Sequence, residues 1–126
     1  MKLRHLFLIN IFIAFFFGLS CAIFPAWVIK LYGLSTNQAA IWTTRLVGGS
    51  ILGFATLMWY GLRAASTEAR RAIAFALLFQ DLVGASASIE IQLGGEINNL
   101  GWSNPILYGV LTLAYAYFLF IRPGKS

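Results

Sequence analysis

Hydrophobic positions along this chain fall into four long runs separated by three short polar links, and few polar side chains interrupt the runs. A helix rises 1.5 Å per residue, so about 20 apolar residues cross the ~30 Å hydrocarbon core of a bilayer. The runs predict spanning helices over 6–29, 38–62, 68–93 and 105–121. Pro25 has no amide hydrogen and is expected to bend or end the first of them. Ser35 and Gln38 stand at capping-box spacing ahead of the second, and Ser66 or Thr67 is placed to cap the third. Gly94-Gly95 should end the third helix, and Asn104-Pro105 should open the fourth. The pattern predicts an all-α integral membrane four-helix bundle, a single domain over 1–126.

Composition agrees. Of 126 residues 60% are hydrophobic and 10% charged, against roughly a quarter charged in soluble proteins. The net charge of +5 comes from basic residues scattered singly or in pairs, with no solvated face to form a basic groove, so no nucleic-acid partner is expected. Seven of the nine basic residues (Lys2, Arg4, Arg63, Arg70, Arg71, Arg122, Lys125) lie with the two termini and the middle link, against Lys30 alone in the other two links. The positive-inside rule then puts both termini in the cytoplasm of a multi-pass protein of the cell membrane, expected to be a bacterial inner membrane. Trp27, Trp42 and Trp102 fall at the expected outer boundary, and Trp59 and Tyr60 at the inner one. With one cysteine, Cys21, and one histidine, His5, a single chain cannot build a disulfide, a zinc or iron–sulfur site or bis-histidine ligation, and no metal or cofactor is expected. Gly18-Leu19-Ser20-Cys21 departs from lipobox order, so a cleaved leader is not expected.

The informative residues are the polar ones inside the runs. A carboxylate at the centre of a spanning helix costs about 2.5–3.5 kcal/mol, so it tends to face protein or water and to have a role. Counting turns puts Glu90 and Arg45 at one depth, a candidate structural ion pair. Asp81 lies deeper, level with Ser50 and Gly53 on the second helix and with Thr112 and Tyr115 on the fourth. Asp81, Ser50, Thr112 and Tyr115 are therefore the candidate binding set. The bland reading is an aspartate held by hydroxyls for packing; the sharper one is a lipid, quinone or proton site. Nine residues separate Asp81 from Glu90, about 900° of helix rotation, so the two carboxylates point to opposite sides and are no catalytic pair. Gly49 and Gly53 form a GxxxG on the face that carries Arg45, and with Gly84 they are candidates for helix packing.

The run Thr43-Thr44-Arg45-Leu46-Val47-Gly48-Gly49-Ser50-Ile51-Leu52-Gly53, with Pro25 and Tyr32-Gly33 before it, resembles a group of small four-helix bacterial membrane proteins, loosely similar to DoxX-like proteins. That resemblance implies a four-helix bundle and carries no catalytic residue across.

Short links, no soluble domain and no nucleophile–base set lead to the expectation of a non-enzymatic accessory, scaffold or assembly subunit. Its partners would be the lipid bilayer and other membrane subunits or a second copy. The alternative is a bundle that binds or converts a lipid-like or quinone-like ligand around Asp81, which a pocket beside that residue would favour. A proton-coupled transporter ranks lowest, since it needs helices broken at mid-depth or an internal repeat.

Overall fold

A proline inside an apolar run decides the first feature of the architecture. In the computed structural model, which describes residues 2–121, the predicted helix over 6–29 is two helices, α1 (Leu3–Ile23) and α2 (Pro25–Leu31). Phe24 sits between them at φ −121° and ψ 54°, with Pro25 at the first position of α2, where a missing amide hydrogen does no harm. Three further helices follow: α3 (Gln38–Arg63), α4 (Thr67–Leu93) and α5 (Ser103–Ala116). A 3₁₀ turn over Asn99–Trp102 leads into α5, and a π turn over Tyr117–Ile121 continues it. The described residues contain no strand. Four segments are long and apolar enough to cross a membrane: Leu3–Ile23, Gln38–Arg63, Thr67–Leu93 and Asn99–Ile121. Arg122-Pro123-Gly124-Lys125, expected to end the fourth helix, lies outside the described residues.

Local chemistry accounts for the ends. The cap of α3 is Asn37, whose side chain accepts from Ala40 N at 2.8 Å, in place of the expected Ser35–Gln38 box. Ser66 caps α4, accepting from Ala69 N at 3.2 Å, and α4 stops where Gly95 takes a φ of 77° open to glycine. The 3₁₀ turn lets α5 begin at Ser103, which leaves Pro105 within its first turn.

The helices pack as two pairs, α1 on α3 and α4 on α5, while α3 and α4 touch only slightly. Gly48 makes the first pairing possible. A Cβ there would lie 2.6 Å from Ala22 N and 2.8 Å from Gly18 O, so α1 and α3 meet backbone to backbone. Gly49 and Gly53 do not have this role within the chain: a Cβ at either would meet nothing within 4 Å. One residue is a 100° turn about the axis, and that rotation separates the packed Gly48 from the outward Gly49. In the second pair Gly84 lies under the ring of Tyr108, 3.0 Å from where a Cβ would stand.

The pairs join through a core in which Phe7, Met58, Leu77 and Tyr115 are wholly buried. Asn10 Nδ2 donates to Tyr115 Oη at 2.8 Å, and that hydroxyl donates to Met58 Sδ at 3.7 Å, tying α1, α5 and α3 together. Three arginines close the end of the bundle that holds the α3–α4 turn. Arg4 reaches Leu62 O at 3.1 Å, Arg70 reaches Ala64 O at 2.6 Å and Arg71 reaches Leu119 O at 3.3 Å. Each sets a cation against carbonyls that a helix C-terminus leaves unpaired. The outward surface is apolar over much of its area, with Phe12, Phe16, Phe79 and Leu113 exposed along the helices and Trp27, Trp42, Trp59, Tyr60 and Trp102 exposed near their ends.

Candidate functional site

Where the two helix pairs face each other they leave a cavity of about 340 Å³. All four long helices wall it. Asn10, Ile13, Ala14 and Phe17 come from α1, at the three- and four-residue spacing that puts side chains on one face; Ile51, Phe54 and Met58 come from α3 in the same way. From α4 come Leu77, Gln80 and Asp81, and from α5 Asn104, Leu107, Tyr108 and Leu111. Tyr32, just past α2, and Ser103 complete the lining. The wall is mostly aliphatic and aromatic with a few polar groups directed inward, and the volume falls in the range of ~300–1,000 Å³ usual for small-molecule sites.

Asp81 is 3% exposed, and its Oδ2 is buried with no hydrogen-bond partner. The hydroxyls expected to hold it are engaged elsewhere. Ser50 Oγ donates to Leu46 O at 3.1 Å and Thr112 Oγ1 to Tyr108 O at 2.7 Å, each returning to its own helix one turn back. Tyr115 Oη is committed to Asn10 and Met58. Ser50 is exposed, and neither it nor Thr112 nor Tyr115 lines the cavity. Asp81 is the one acid in the lining, and no lysine, arginine or histidine among the described residues joins it there.

Arg45 and Glu90 are both exposed, and no ion pair joins them among the described residues. Equal depth was not enough, because α3 packs on α1 and α4 on α5, with little contact between α3 and α4 along which the two side chains could meet.

Hydrogen bonds among the links tie together the end of the cavity near Tyr32 and Asn104. Tyr32 Oη donates to Asn104 Oδ1 at 3.1 Å, Asn98 Nδ2 donates to Leu31 O at 2.8 Å, and Asn98 N donates to Tyr32 O at 3.1 Å. The sequence pattern had singled out none of Tyr32, Gln80, Phe17 or Phe54 for this site. Asn10 and Tyr108 are visible in the sequence all the same, the first as a polar side chain within an apolar run and the second as one of three polar side chains, with Thr112 and Tyr115, at i, i+4, i+7 spacing.

No curated protein and no solved structure matches the chain. A family model does match, over residues 1–122, and the chain belongs to that family, described as Domain of unknown function (DUF8292).

Proposed function

We propose that this is a multi-pass membrane protein that holds a lipid-like ligand in the cavity around Asp81. The observation that carries the reading is Asp81 Oδ2, buried against an apolar cavity of ligand size without a partner. A buried polar atom left unmatched costs about 1–3 kcal/mol, and more when charged, so a ligand that donates to Asp81 would be favoured by that unused acceptor alone. The apolar outward surface supports insertion in a bilayer, and the aromatic side chains near the helix ends suit its two interfaces. The basic residues of the arginine-closed end support a cytoplasmic location for both termini.

A second reading, an accessory subunit that docks on another membrane protein or a second copy, is favoured by one observation. Gly49 and Gly53 lie on the outside of α3 with room for a closely approaching helix. The two readings are compatible, since that face and the cavity lie on different sides of α3. The resemblance to DoxX-like proteins fits either one and names no ligand.

Extraction of the protein purified in mild detergent, followed by mass spectrometry of the extract, tests the ligand reading. One lipid-like species per chain is expected from the wild type and its loss from Asp81→Asn. Equal recovery from both would end the assignment to Asp81.

A further inference from the structure

Given that ligand-binding reading, on which this inference rests, we propose that the cavity selects an organic cation, an amphiphile with an ammonium head at Asp81 and an apolar tail along the aliphatic wall. Two features of the lining converge on positive charge. The first is the Asp81 carboxylate, 3% exposed with Oδ2 unpartnered, which an N–H donor of opposite charge matches best. The second is aromatic: Phe17, Tyr32, Phe54 and Tyr108 all line the same space, and aromatic rings attract ammonium groups.

An anionic head would enter a space with a carboxylate and no basic side chain to offset it. A neutral hydroxyl head would satisfy Oδ2 yet gain nothing from the rings. A single water can bridge a polar atom, but a cavity of about 340 Å³ is on the order of ten times a water's share of liquid volume. The ammonium can arrive as a soluble amine or as the head of a membrane amphiphile.

The test is displacement of tritiated decylammonium from the full-length protein in dodecyl maltoside, whose head is uncharged. Unlabelled decylammonium should compete saturably at one site per chain, decanol should compete about tenfold more weakly or worse, and decanoate should not compete. Asp81→Asn should lower the ammonium-over-alcohol preference severalfold while decanol binding persists. Should that variant fold poorly, Tyr108→Leu and Tyr108→Phe replace it, with ammonium affinity lost in the first and kept in the second. Butylammonium identifies the source: competition equal to decylammonium points to a soluble amine, and weak competition to a membrane amphiphile. Decanol matching decylammonium on the wild type, or a preference unchanged in Asp81→Asn, would overturn the cation assignment and leave ligand binding standing. Absence of displaceable binding by all of these compounds would overturn both.

Discussion

Asp81 and Tyr115 are level in depth but opposite in kind. Tyr115 is wholly buried, with both hydrogen-bonding directions of its hydroxyl used; Asp81 is almost as buried, with an oxygen unused. Removing the Tyr115 hydroxyl should therefore hurt. Tyr115→Phe strands Asn10 Nδ2 and should lower stability in detergent by about 1–3 kcal/mol, while Asn10→Leu/Tyr115→Phe together should recover part of that loss. Equal, additive losses in a thermal-unfolding cycle would show that the bond contributes nothing. Asp81→Leu should do the reverse, because it replaces an unmatched polar group with an apolar one of similar size, and should raise stability by about 1–3 kcal/mol. A large loss of folded protein would mean that the carboxylate holds the bundle together after all.

At the scale of helices, the glycines separate packing from surface. Gly48→Ala pushes a methyl into backbone atoms of α1 and should destabilise by about 1–3 kcal/mol. Gly49→Ala and Gly53→Ala meet nothing in the chain and should be neutral or gain up to about 1 kcal/mol each from helix propensity. Comparable losses at all three positions would place a partner helix on the outer face. Arg45 and Glu90 give a related test: with no pairing between them, charge exchange at both positions should restore nothing that either single change loses, and restored yield would show that they meet. These positions also mark what the sequence made legible. The rise per residue fixes how far along a helix a side chain lies, so four long apolar segments and the level of Asp81 could be read by counting, and the Pro25 break and the Gly94-Gly95 end from residue type. Which helices are neighbours, and which way each is turned, depends on packing over the whole chain. That is why Gly49 stood in for Gly48, Arg45 was matched to Glu90, and three hydroxyls were aimed at an aspartate that none of them reaches.

For the whole molecule, the cavity is a product of pairing. Backbone-close contact within α1–α3, and the fit of Gly84 to Tyr108 within α4–α5, leave the space between the pairs less completely filled, and no local pattern announces such a space. On the proposed topology, in which charge sets the orientation, reporters fused after Ser126 and within Gly94 to Asn104 should report opposite sides; same-side signals would contradict it. The most direct test of ligand binding is to fill the cavity without touching Asp81. Native mass spectrometry of the wild type should show one bound small molecule per chain. Leu107→Trp, which extends a ring into the cavity, should lose it, while Val83→Trp on the exposed side of α4 should keep it. A bound molecule that persists unchanged in folded Leu107→Trp, or that is absent from the wild type, would contradict a ligand site at Asp81.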